Sequence, residues 1–284
     1  MQSANFGDIA EKIRRSTVQV LSGSRRALGA GSGVICAPGD VIVTNAHVVR
    51  ESTARIELWD GRSFPAEVTS RDVRADLVML KVNTADLPPL SWRSASSVRP
   101  GELAIAVGNP LGFLGALSTG VVHALGRVPG MGARTWVQAA IRLAPGNSGG
   151  PLADAKGRVI GINTAVVSGG LALAIPSDSV LSFLYHGARP ALGISVRPVA
   201  LNASNKIGLL VLEVVRGSLA ENASLLIGDL LIAANARSFQ AADDLSEAID
   251  ESEGSILRLR FLRGDRRTER EVSIPLPKPE REAA

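Results

Sequence analysis

The chain has a single cysteine, Cys36, so no disulfide can form within it. In the run Gly33-Val34-Ile35-Cys36 that residue reads as a small buried apolar side chain. Histidine is nearly as scarce. His47, His123 and His186 show no H-E-x-x-H or other ligand spacing, so no metal is expected, and the last two read as structural or surface residues. The phosphate-cradling G-x-x-x-x-G-K-[ST] pattern is absent, so no nucleotide is implied, and no other cofactor is expected. No apolar run approaches the roughly 18 residues of a membrane span. Met1–Arg15 lacks an apolar signal core, so the chain as written is expected to stay in the cytoplasm. The net charge is only +4, too little for a nucleic-acid footprint. The densest basic stretch, Arg258, Arg260, Arg263, Arg266, Arg267 and Arg270, is broken by Asp265, Glu269 and Glu271 and reads as the solvated face of a hairpin.

Glycine, by contrast, is abundant, and 45% of the 284 residues are apolar, enough for about two packed domains. Short apolar runs between Gly, Pro, Asn and Asp turns predict a mainly β protein. Strands are expected at Val18–Leu21, Ser32–Cys36, Val41–Thr44, Ala54–Leu58, Phe64–Ser70, Leu77–Val82, Leu103–Val107, Leu117–His123, Trp136–Gln138, Val159–Ala165 and Leu171–Ile175. That number and spacing suit a pair of β-barrels. Phe6, Ile9 and Ile13 at helical spacing predict an amphipathic helix over Phe6–Arg14, and Pro176–Tyr185 reads as a second helix with Ser177 as its N-cap. After the short linker His186–Pro190, further strands are expected at Leu192–Pro198, Leu209–Val215, Leu230–Ala234, Ile256–Leu262 and Glu271–Ile274, with a helix over Ala242–Asp250.

The most informative stretch is Gly146-Asn147-Ser148-Gly149-Gly150-Pro151-Leu152. Glycines this dense mark a backbone with special needs. A tight turn could aim successive N–H groups at one carbonyl oxygen while the Ser148 hydroxyl attacks the carbon. Serine needs a base, and the base needs a partner to fix its tautomer. His47 ends the apolar run Val41–Val43 within Thr44–Val49, and Asp76 precedes another run within Ala75–Leu80. The order His47, Asp76, Ser148 is that of chymotrypsin-type proteases. Gly146–Gly150 also fits G-x-S-x-G, the elbow of α/β-hydrolases, followed by Asp178 and His186 as acid and histidine. That fold requires a helix directly after the serine, whereas Pro151 and the strand-like run from Val159 follow here.

With these motifs the chain resembles the trypsin-like serine proteases of the HtrA (Deg) family, which carry a C-terminal PDZ domain. Further matching pieces are Gly108-Asn109-Pro110-Leu111-Gly112, Val159–Thr164 and Ala174–Ser177. The resemblance implies a chymotrypsin-like double β-barrel over residues 1–186 and a PDZ-like domain over 187–277; the charged residues 278–284 read as a disordered tail. It implies His47, Asp76 and Ser148 as the triad, with the oxyanion held by the N–H groups of Gly146 and Ser148, helped by Asn147. The wall of the pocket for the substrate residue before the cut would come from the segment before Ser148, including Leu143, and from Leu171, Ala172 and Leu173. No aspartate lies in Gln138–Asn147, and Arg142 is expected to point outward, so that pocket should prefer small or medium apolar residues. Ala191-Leu192-Gly193-Ile194 resembles a PDZ carboxylate loop. A peptide's last side chain would enter a pocket of Ile194, Leu245 and Ile249, beneath its carboxylate at Leu192, Gly193 and Ile194.

By resemblance, substrates are unfolded or damaged proteins, and the chain forms homo-oligomers, trimers in many relatives, with Phe6 as the one candidate N-terminal aromatic. The family is usually exported or tethered to the cell envelope, and its members often rest with the triad misaligned, acting then as peptide-binding or chaperone-like proteins. Some positions depart from the family pattern: Ala140 replaces a frequent aspartate, Leu219 a proline, Ser224 a glycine, and Asn235-Ala236 lacks the usual glycine turn.

Overall fold

In the computed structural model, strands form where the apolar runs lie, and they close on themselves. The structure describes residues 5–23, 29–84, 87–128, 131, 134–166, 170–187, 191–201, 206–241, 243–252, 254–264 and 268–277. The chain divides into two compact units, one of residues 1–127 and 135–188, the other of residues 128–134 and 189–284. The expected tail at 278–284 lies outside the described residues, as do linker residues 188–190, the helix start Ala242, and Asp265, Arg266 and Arg267 of the basic stretch.

The first unit contains two closed barrels of six strands each. β1 (Thr17–Ser22), β2 (Gly29–Cys36), β3 (Val41–Thr44), β4 (Thr53–Glu57), β5 (Ser63–Asp72) and β6 (Leu77–Val82) run in the order β1-β2-β3-β6-β5-β4. β7 (Leu103–Gly108), β8 (Ala116–Arg127), β9 (Thr135–Ala140), β10 (Pro151–Ala153), β11 (Val159–Val166) and β12 (Ala172–Pro176) run β7-β8-β9-β12-β11-β10, the same topology repeated. Closure leaves no strand edge in need of a partner. The first interior is filled by branched side chains such as Val20, Ile35, Ile42, Ile56 and Leu80. The second is tighter, with Ala104, Ala106, Ala139, Ala172 and Ala174 around Val137, Leu152 and Ile160. Cys36 is buried as its run implies, and that burial pushes its thiol up to about 12, leaving it protonated and inert.

β10 is the barrel strand missing from the sequence reading. It is three residues long and opens on Pro151, which breaks a strand pattern yet is tolerated at a first strand position. α1 (Phe6–Arg15) begins at a capping box in which Asn5 accepts from the Asp8 N–H and Asp8 accepts from the Asn5 N–H. Its anchor is Ile13, fully buried and worth about 1.5–3 kcal/mol of apolar burial, whereas Phe6 is exposed. α2 (Ser177–His186) corrects one expectation. Its N-cap is Pro176, and the Ser177 hydroxyl donates instead to Arg93 O at 2.7 Å. Arg93 belongs to the connection between the barrels. It is pinned by Glu102 (2.5 Å) and Asp154 (3.3 Å), and Asp154 in turn holds Arg158 at 2.7 Å.

The second unit is built on an antiparallel sheet ordered β13 (Ile194–Ala200), β14 (Ile207–Val214), β15 (Leu230–Ala234), β17 (Ile256–Leu262), β18 (Glu269–Pro275), with β16 (Arg237–Ser238) on β15. Two helices, α3 (Leu219–Asn222) and α4 (Asp244–Glu251), accompany it. Its core gathers Leu192, Leu209, Leu231, Phe239, Leu245, Ile249 and Leu259. Arg258, Arg260 and Arg270 of the basic stretch lie on paired strands, with Arg260 opposite Glu271. The departures at the usual glycine positions are accommodated by strain. Ser224 (φ 58°) and Ala236 (φ 65°) adopt the left-handed conformation that glycine takes without cost, at roughly 1 kcal/mol each.

Candidate active site

His47 follows β3, Asp76 stands at the entry to β6, and Ser148 lies just before β10. The first two come from one barrel and the third from the other. The Asp76 carboxylate accepts from the His47 backbone N–H at 3.1 Å and faces His47 Nδ1 at 2.9 and 3.0 Å. An ionised carboxylate only accepts, so a neutral His47 must carry its proton on Nδ1, which leaves Nε2 free to act as a base. Asp76 also accepts from the Thr164 hydroxyl at 2.7 Å. Burial pushes the Asp76 carboxyl up, but the hydrogen bonds from His47 and Thr164 outweigh it and hold the carboxyl below its ordinary value.

The backbone that delivers this carboxylate is strained. Asp76 sits at φ 56°, in the left-handed region, which costs a non-glycine residue of order 1 kcal/mol or more. The turn is enforced by the Ala75 N–H donating to Asp72 Oδ1 at 2.7 Å and by buried Asn45, whose Nδ2 donates to Asp76 O at 3.0 Å. Next to Asp72, Arg71 secures the histidine side. Its guanidinium donates to Val49 O, to Glu51 O at 2.6 Å and to Ala46 O at 3.4 Å. Thr164 reaches Asp76 because it is the extra residue of a β-bulge. Asn163 pairs with Ala174 and Ala165 with Leu173, leaving Thr164 unpaired and its side chain re-aimed.

The nucleophile turn is closed by Asn147 N–H to Ala144 O (3.1 Å) and Gly150 N–H to Asn147 O (3.0 Å). Gly149 N–H donates to Asn163 O at 2.8 Å. Among the described residues the N–H groups of Gly146 and Ser148 have no partner, while that of Asn147 is committed to the turn. Glycine is required at 149: at φ 85°, an added Cβ would lie 2.1 Å from Ser32 O and 2.2 Å from Thr44 Oγ1. The Ser148 hydroxyl donates to Thr164 O at 3.1 Å, so in this state it is turned toward that carbonyl. Of the pocket residues, Ala172 belongs to the second barrel's interior cluster, Leu143 packs against that cluster, Leu173 is fully buried, and Leu171 is half-buried. Arg142 is exposed.

In the second unit, Leu192, Leu245 and Ile249 share one buried cluster against which Ile194 packs. Leu192 O accepts from Ala220 N–H at 2.9 Å and Gly193 O from Val215 N–H at 2.8 Å, whereas the N–H groups of Leu192 and Gly193 have no partner among the described residues. A Cβ at Gly193 (φ 75°) would lie 2.3 Å from Ser218 Cβ. β13 is an end strand of the sheet. Among the described residues no cluster of His, Cys, Asp or Glu could hold a metal ion, and no helix is long and apolar enough to cross a membrane.

Paired barrels of one topology, with a histidine–aspartate dyad from the first and a serine between glycines from the second, define a trypsin-like serine peptidase. Residues 31–162 match the family described as the trypsin-like peptidase domain. A protein of Chlamydia pneumoniae named as a DegP-like periplasmic serine endoprotease is 36% identical over 240 residues, 77% of this chain and 49% of its own length. HhoA of Synechocystis, named as a serine protease, is 32% identical over 275 residues, 86% of this chain and 70% of its own. The HtrA-type protease AlgW, solved with a decapeptide, shares the fold with a TM-score of 0.67 at 23% identity, over 96% of this chain and 98% of that one. The chain belongs to the HtrA family of serine proteases. It spans about half the length of the Chlamydia relative.

Proposed function

We propose that this chain is a serine endopeptidase acting on unfolded or damaged proteins, and that residues 187–277 form a PDZ-like module that captures C-terminal peptides. The observation that carries the first half is the dyad geometry: a carboxylate with three donors, a histidine oriented by it through Nδ1, and a serine turn with two unspent N–H groups. Ser148 Oγ leaves Thr164 O, passes its proton to His47 Nε2 and attacks the scissile carbonyl. The N–H groups of Gly146 and Ser148 receive the oxyanion. His47 then gives the proton to the leaving amine, and water repeats the sequence on the acyl-enzyme. Neither step asks for a metal or cofactor. A pocket formed beside Leu143, Leu171, Ala172 and Leu173 would be walled by apolar side chains, and the exposure of Arg142 fits a guanidinium kept out of it. Incubation with unfolded casein, followed by sequencing of the products, is expected to show cuts after small or medium apolar residues. Cuts after Lys or Arg would refute the apolar pocket, and cuts after Asp or Glu would place Arg142 inside it.

For the peptide module, the support is the N–H pair at Leu192 and Gly193, without a partner among the described residues, next to an end strand and to the apolar cluster that Leu192 shares with Leu245 and Ile249 and against which Ile194 packs. A peptide would add as a strand along β13 with its carboxylate on that loop. Calorimetry with apolar-ended peptides is expected to show binding that disappears on amidation of the terminal carboxylate. Gly193→Val should abolish it too, because the new side chain collides with Ser218. Binding indifferent to both changes would rule the site out. A homo-oligomer, as the family resemblance implies, fits the exposed Phe6 at the N-terminal helix.

A further inference from the structure

Ser32 lies within β2 of the first barrel and is fully buried. All its polar groups are used. Its Oγ is 2.7 Å from Gly146 O, 2.9 Å from the Asn109 N–H and 3.2 Å from Asn109 Nδ2. The Asn109 amide has one orientation, since its Oδ1 accepts from Gly115 N–H at 2.9 Å and its Nδ2 donates to Val18 O at 2.8 Å. Asn109 therefore offers Ser32 only donors, and the single hydroxyl proton of Ser32 must go to Gly146 O. The Ser32 N–H donates to Ser148 O at 2.8 Å, and Ser32 O accepts from the Thr44 hydroxyl at 2.6 Å.

One residue of the first barrel thus grips the second barrel's nucleophile turn on both sides of the serine. The peptide joining residues 146 and 147 is held by Ser32 Oγ at its carbonyl and by Ala144 O at its N–H. The peptide joining 148 and 149 is held by Ser32 N–H at its carbonyl and by Asn163 O at its N–H. Between them the Ser148 N–H has no partner among the described residues but cannot reorient unless a neighbour lets go. We propose that Ser32 is a positioning residue for catalysis, clamping this turn across the barrel junction so that the Gly146 and Ser148 N–H groups stay aimed at the oxyanion. The kinetic part of this rests on the endopeptidase reading above.

The test is Ser32→Ala and Ser32→Cys in the full chain, read by hydrogen exchange and by steady-state kinetics on a peptide substrate. In Ser32→Ala, exchange in the segment 143–153 is expected to quicken about tenfold while the rest of the second barrel stays within about twofold. A kcat loss of about 10- to 100-fold is expected, less than the 10²–10³ for deleting an oxyanion donor outright, with KM within about threefold. The affinity of a peptide boronate, which mimics the tetrahedral oxyanion, should fall in step with kcat. Ser32→Cys keeps a weaker donor and should lie between; if Ser32→Ala fails to fold, Ser32→Cys decides by the same readouts. Unchanged exchange in 143–153, or kcat within about twofold of wild type in a folded variant, would overturn the clamp, since a residue that only fills space would lower stability and spare the turn. Should the wild-type chain show no turnover dependent on Ser148, the endopeptidase reading fails, and the exchange measurement still decides whether Ser32 holds the turn.

Discussion

Ser148→Ala is expected to reduce turnover of an unfolded protein by roughly a million-fold, the scale at which loss of one member disables a serine triad. The variant should fold. The turn's hydrogen bonds run through backbone groups of residues 146–150 that alanine at 148 keeps, and among the described residues the hydroxyl's only hydrogen bond is the one to Thr164 O. Product formation by mass spectrometry, beside a melting curve, reads both halves. A folded variant that still cuts casein at near-normal rate would place the nucleophile elsewhere.

Asp76→Asn is expected to cost about 10⁴ in kcat with little change in fold. An asparagine can present its amide nitrogen to His47, which favours the tautomer with the proton on Nε2, and that nitrogen then has no lone pair for the Ser148 proton. The same variant carries a stability signature. The folded Asp76 carboxyl is held below its ordinary value, so its stabilising contribution is fully present above the unfolded carboxyl value of about 3.9 and is lost as pH falls through the lower folded value. Wild type should therefore lose stability on acidification that Asp76→Asn does not. Denaturant titrations from neutral pH to pH 3 would show the two curves converging, and parallel curves would mean that Asp76 is not held in its charged form.

Much of this was legible because the chemistry is local. Ser148 sits among its own glycines, and His47 and Asp76 each adjoin a strand that its apolar run marks. What supports them was not legible. The side chains of Ser32, Asn45, Arg71 and Thr164 act through hydrogen bonds to residues 20 to 114 positions away, and a small polar residue in a strand looks the same whether or not it has such a partner. Ser177 shows the reverse error. A serine at a helix start reads as a cap, but tertiary structure spends its hydroxyl on Arg93, 84 residues earlier. The bulge that re-aims Thr164 leaves no mark in the pattern Ile162–Val166, and β10 is hidden by the proline that begins it.

The central claim is that His47, held by Asp76, makes Ser148 a nucleophile. Intact-mass analysis after exposure to a peptidyl organophosphonate, with peptide mapping of the adduct, tests it most directly. The geometry predicts one adduct per chain, on Ser148, formed by wild type and lost in His47→Ala. No adduct, an adduct on another residue, or labelling that survives His47→Ala would contradict it.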